Sequence, residues 1–188
     1  MRRHICTVGD LLPGDACPPA VVWAAQYHDP LTAWKSCERG DWMLWLLARR
    51  DVARAELVQL ACQCARLALP YVQAGEERPL LAIVAAEQWA AEPTAANATS
   101  AGLAGVGAAR ASSDARTAMA ASHACRAAEE AAHTIVNADY VTEVTYHTSH
   151  ACNREAWMEG LPDATQRKYV DIVRQRYPEP PKELMRMP

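Results

Sequence analysis

Between Trp34 and Leu47 the chain reads WKSCERGDWMLWLL, which holds three of its six tryptophans in a chain with no phenylalanine at all. Indoles that leave water on folding need partners from several segments, so a cluster this dense fixes where neighbouring helices must meet. Gly40 followed by Asp41 predicts one helix ending and the next beginning. Glycine accepts the left-handed backbone past a helix C-terminus, and an aspartate oxygen accepts from the free N–H groups of a new first turn. Asp41 is therefore expected to cap a helix that starts at Trp42. Trp42, Trp45 and Leu46 then share a face at i, i+3, i+4, from which the two indoles meet Trp34 across an αα-hairpin. With Met43, Leu44 and Leu47 beside them, Trp34, Trp42, Trp45 and Leu46 read as a packing core, joined further on by Trp89. A stacking platform for bases or an exposed hot spot for a partner are the alternatives.

The 188 residues and 51% hydrophobic content suit one domain with a sizeable core. It is expected to span residues 1–177, with a Trp-rich half at 18–90, an Ala-rich half at 94–177 and a Pro-rich tail at 178–188. The longest apolar runs, Trp42 to Ala48 and Leu80 to Ala86, fall far short of the ~20 residues that cross a bilayer. The start, MRRHICTVGDLLPGD, lacks the apolar stretch of a secretory signal before Asp10 and Pro13. Seven cysteines at irregular spacings, with Cys62 and Cys64 two apart in a helical pattern, argue against a disulfide framework. A cytoplasmic protein with reduced thiols is expected, in which the Asn97-Ala98-Thr99 sequon is coincidence. The net charge of −3 gives no general attraction to nucleic acid.

Periodicity points to an all-α bundle of about seven to eight antiparallel helices. Cys17-Pro18-Pro19 opens a helix to about Tyr27, and Asp29-Pro30, a cap followed by proline, opens the Trp34 helix. Val52 to Leu69 repeats apolar residues at the helical period, and Arg78-Pro79 starts another helix that ends near Pro93. The Ala-rich stretch from Ala90 to Ala132 carries charges at helical spacing and is read as closely packed helices, with a low-complexity linker as the competing reading. Thr134 to Thr148 has the strongest β-propensity of the chain, yet its helical flanks and lack of turn dipeptides favour helix. Gly160 to Asp163 breaks the chain before a last helix, Ala164 to Arg176, which turns Tyr169, Ile172 and Val173 inward. The tail from Tyr177 is expected to be extended or disordered.

His147, His150 and Cys152, with His123, Cys125 and His133, form the one group of metal-ligand types that the sequence suggests. His147 and His150 share a helical face, whereas His150 and Cys152 lie about 200° apart around a helix and cannot reach one ion together. The metal reading of His147, His150 and His123 is thus weak, and buried or capping side chains are the simpler account. Cys62-Gln63-Cys64 fails as a redox or zinc motif for the same reason. Glu76-Glu77 and Glu129-Glu130 read as solvated faces. Arg49, Arg50 and Arg54, or Arg167, Lys168, Arg174 and Arg176, are candidates for small anion patches. No phosphate loop, HExxH or G-x-S-x-G pattern is present, and no catalytic residue or cofactor is assigned. Ser122-His123-Ala124-Cys125 recurs as Ser149-His150-Ala151-Cys152, which a duplicated helix or chance would both explain.

The order AW-x₂-C-x-RGDWMLWLL (Ala33 to Leu47), a Cys-bearing amphipathic helix, RPL-x-AI-x-AAE-x-W (Arg78 to Trp89), Ala-rich helices and VDIVRQRYP (Val170 to Pro178) resembles a group of helical proteins encoded by phages and bacteria. Some of these are similar to immunity proteins of toxin systems, and DWMLWL is the most specific part of the likeness. The Thr/Val-rich segment at 134–148 departs from the group. The resemblance implies a protein-binding inhibitor of the immunity or phage anti-defence kind, whose partner is a toxin, nuclease or host-defence component, and it supplies no catalytic residues. A homo-oligomer is compatible with it. The contrasting class is an enzyme with an unrecognised, His/Cys metal-dependent site.

Overall fold

The structure, a computed structural model, describes residues 7–50, 52–115, 119–152 and 164–182. Among them the chain is all-α: α1 (Pro18–Ala24), α2 (Pro30–Ser36), α3 (Gly40–Ala48), α4 (Arg54–Arg66), α5 (Arg78–Ala91), α6 (Ala95–Asp114), α7 (Met119–His133), α8 (Tyr140–Cys152) and α9 (Ala164–Arg176), with 3-10 turns at Val8–Leu11 and Leu69–Tyr71. The Ala-rich stretch divides into α6 and α7, which raises the number of helices above that expected. The break expected at Gly160 to Asp163 and the end of the tail lie outside the described residues.

Most helix starts follow the local chemistry of the sequence. Prolines occupy the first turns of α1, α2 and α5, where the missing N–H has no intrahelical partner to lose. Asp29 caps α2, its carboxylate accepting from Leu31 N at 3.3 Å and Thr32 N at 2.9 Å. The β-prone segment is helical from Tyr140 because tertiary burial outweighs propensity: Val141 and Val144 are fully enclosed, and α8 packs on α4 and α7.

The Gly40-Asp41 junction works differently from the expectation. α3 begins at Gly40 with Arg39 as its N-cap, so Asp41 lies inside the first turn and makes no capping bond. Its carboxylate instead takes Arg39 Nε at 2.9 Å and Nη2 at 2.6 Å, and its N–H donates to Gln166 Oε1 at 3.1 Å. Gly40 has no left-handed backbone; Gly75 is the described glycine with positive φ. The reason for glycine is proximity: a Cβ at position 40 would stand 2.3 Å from Tyr169 Cβ and 2.7 Å from Val170 N. α3 and α9 cross backbone to backbone at this point.

One apolar cluster runs from Trp34 to Val173, with α4 contributing Leu57, Val58, Leu60, Ala61, Cys62 and Cys64 to its centre. The Ala-rich helices are packed and not a linker. Ala101, Ala108 and Ala111 of α6 and Ala124, Ala127, Ala128 and Ala131 of α7 are buried, and small side chains let these backbones approach. Tyr169 is fully buried in α9, its hydroxyl donating to Thr145 O at 3.0 Å beside Ser149 Oγ at 3.2 Å. Trp34 is 4% exposed and donates Nε1–H to Tyr177 O at 2.9 Å. Arg174 Nη2 donates to Trp34 O, Lys35 O and Cys37 O at 2.7, 2.7 and 2.8 Å, satisfying the carbonyls that α2 leaves open at its C-terminus. Pro180 and Pro181 are buried, so the described part of the tail is docked. No helix among the described residues is long and apolar enough to cross a membrane.

Candidate functional site

Leu46 joins Trp34 inside the core, but Trp42, Trp45 and Trp89 are only half-buried against it. α3 is short and apolar nearly all round, so it cannot turn every large side chain inward. Trp23, Trp34, Trp42 and Trp45 all border one apolar cavity of about 50 Å³, and the rings of Trp23 and Trp42 lie 6.0 Å apart. The outer sides of Trp42 and Trp45 face a second, larger cleft of about 370 Å³, walled also by Arg39, Asp41, Tyr146 and Gln166. This cleft is where α3, α8 and α9 leave a gap below the loop that carries Asp15 and Cys17.

Its chemistry is aromatic and cationic at once. The Arg39 guanidinium lies 4.6 Å from the Trp42 ring centroid, and that of Arg49 lies 5.7 Å from Trp45. The Asp41 carboxylate anchors Arg39 in this pose, and Arg49 is held between Asp15 at 2.8 Å and Asp139. Tyr146, 46% exposed, closes the wall from α8. Partly exposed Trp, Tyr and Arg side chains, already fixed in place, are the residue types that anchor protein interfaces.

The metal-ligand candidates divide. His123 Nδ1 and His147 Nδ1 approach to 3.0 Å, and the His123 ring also lies 4.8 Å from that of His150, its counterpart in the repeated tetrad. His150 Nδ1 is engaged with Tyr146 O at 2.8 Å. Cys152 is directed elsewhere, its Sγ facing Leu67 O at 3.5 Å, and Cys125 is buried. Burial first, then the neighbouring imidazoles and Arg126, depress His147 to about 4, and burial likewise lowers His123. A neutral imidazole pair in the fold faces a chain that binds protons near 6.5 when unfolded. Stability is therefore expected to be fully present above about pH 6.5 and to fall as pH drops toward 4. Denaturant titrations across this window should show that slope in the parent and a shallower one in His147→Asn.

Two expectations about charged residues are overturned. Glu129 and Glu130 are 7% and 8% exposed, because the α6–α7 packing encloses the face that reads as solvated. Several of the arginines proposed as anion patches are committed internally, Arg50 to Leu11 O, Arg54 to Thr134 O, Arg174 to the end of α2 and Arg176 to Glu56, while Arg167 and Lys168 are exposed. The sequence reading missed Glu129, Glu130 and His133 as a group, although their i, i+1, i+4 spacing places all three on one side of a helix.

The central helices also place this all-α fold among known sequences. The chain belongs to the family described as Imm-5 like putative immunity protein, whose profile matches residues 49–164. That span runs from the end of α3 to the first residue of α9. It contains the Tyr146 wall of the cleft and leaves the DWMLWLL stretch ahead of it. No curated protein and no solved structure matches the chain.

Proposed function

We propose that this chain is a non-catalytic inhibitor that acts by covering a surface of another protein, one molecule to one. The observation that carries the reading is the cleft of Trp42, Trp45, Arg39 and Tyr146: anchors half out of the core and pre-positioned by ion pairs, at the side of a member of an immunity-protein family. The target is a toxin, nuclease or host-defence component met in the cytoplasm, and the setting is a phage or mobile element. Residues 1–177 act as one domain. The mixed charge of the chain, 22 acidic against 19 basic residues, fits a contact with aromatic and arginine anchors and a polar rim better than mimicry of DNA.

A toxin encoded beside this chain is the probe. Its activity, titrated with purified protein, should fall linearly and vanish at a fixed molar ratio. Trp45→Ala and Tyr146→Ala should each weaken binding by about 2 kcal/mol or more, as truncated anchors do. Abolition of the target's activity by sub-stoichiometric protein that turns over would replace the inhibitor with an enzyme. Unchanged affinity in both variants would move the interface away from the cleft.

A further inference from the structure

Glu129, Glu130 and His133 each offer one donor atom within 4.8 Å of the others, on α7 and away from the walls of the cleft. Both carboxylates are buried, whereas the His133 side chain keeps 35% of its surface in solvent, leaving a way in. Each carboxylate commits one oxygen to a neighbour. Arg126 Nη1 donates to Glu129 Oε2 at 3.0 Å, and His133 Nδ1 lies 3.3 Å from Glu130 Oε2, at the long end for a hydrogen bond. Among the described residues no hydrogen bond reaches the second oxygen of either carboxylate.

One aromatic ring flanks the imidazole. The Tyr140 ring lies 5.3 Å from that of His133, and Gly105 of α6 stands close to α7, where a Cβ would come 3.3 Å from Ala132 Cβ and 3.9 Å from His133 Nε2. Each carboxylate thus keeps one oxygen for a further partner beside the half-exposed Arg126 guanidinium.

We infer that Glu129, Glu130 and His133 form a binding site for a divalent first-row transition cation of the zinc or manganese type. Carboxylate oxygens with one imidazole nitrogen and no thiolate suit such ions. Mg²⁺ and Ca²⁺ prefer oxygen alone. Three ligands from one helix leave coordination positions open on the His133 side. Bound, the ion would brace the C-terminal turns of α7 and stabilise the folded chain by mass action.

The test uses the full chain stripped with a chelator and then titrated with Zn²⁺, Mn²⁺ or, as control, Mg²⁺, read by calorimetry and thermal unfolding. One Zn²⁺ or Mn²⁺ per chain is expected, with a melting temperature that climbs with ion concentration. Affinity should fall at least about tenfold in Glu130→Gln and His133→Asn, and remain unchanged in His147→Asn. Co²⁺ should give d–d bands without a thiolate charge-transfer band, which reads the donor set in the parent chain whether or not a variant folds. Failure of the folded parent to bind stoichiometrically would overturn the site, as would a thiolate band, binding that survives both variants, or binding lost in His147→Asn. None of these readouts involves inhibition of a target, so the proposal stands or falls apart from the proposed function.

Discussion

Gly40→Ala is expected to destabilise the fold by about 3 kcal/mol, at or beyond the upper end for overpacking a well-filled site. Alanine is the better helix former by roughly 1 kcal/mol, so local propensity alone predicts the opposite sign. The contact decides. The new methyl would meet Tyr169 Cβ at 2.3 Å, Val170 N at 2.7 Å and Tyr169 C at 2.8 Å, two of them backbone atoms that no rotamer change can move. α3 and α9 must separate, which loosens Tyr169 and its bond to Thr145 O as well. Urea unfolding with an unchanged m-value would give the loss directly. Gly102→Ala is the matched control: nothing lies within 4 Å of its Cβ position in α6, so it should be neutral or stabilising. Equal behaviour of the two variants would contradict the crossing described for α3 and α9.

Trp34→Ala should cost about 3 to 5 kcal/mol, the range for emptying a buried aromatic site. Two losses act together. The indole is 4% exposed within the main cluster, and its Nε1–H is the donor that satisfies Tyr177 O. Trp45→Ala, at a half-buried position, should lose distinctly less in the same denaturant experiment. If Trp45→Ala proved the more damaging, the division between a core indole and a cleft indole would be wrong.

What could be read from the sequence is what short-range chemistry controls. Asp29-Pro30 and Arg78-Pro79 mark helix starts because cap and first turn are neighbours in the chain, and α9 shows its apolar face at Tyr169 and Val173. Gly40 was the wrong kind of glycine. Its constraint comes from α9, far away in sequence, and a Gly-Asp pair looks the same whether the glycine ends a helix or admits a neighbour. Glu129-Glu130 failed likewise, since adjacent carboxylates signal solvent until α6 is laid across them. Which of Trp34, Trp42 and Trp45 would stay half out of the core depended on how α8 and α9 flank α3. Inhibitory action, where it rests on a cleft of side chains from several helices, leaves no motif of fixed spacing.

The clasp of Arg174 over the end of α2 bears on the order in which the chain can mature. During synthesis α2 and α3 emerge long before α9. Until that last helix is made, the carbonyls of Trp34, Lys35 and Cys37 and the indole N–H of Trp34 have no lasting partners. Contacts between such distant segments form late and slowly, because the loop between them must close first. A nascent chain halted before Ala164 would hold the Trp-rich helices without the α3–α9 crossing, with the bed for Tyr169 beside Gly40 still open to water. Helices α2 and α3 are thus completed by α9, and translation must pass that helix before Trp34 is sealed in.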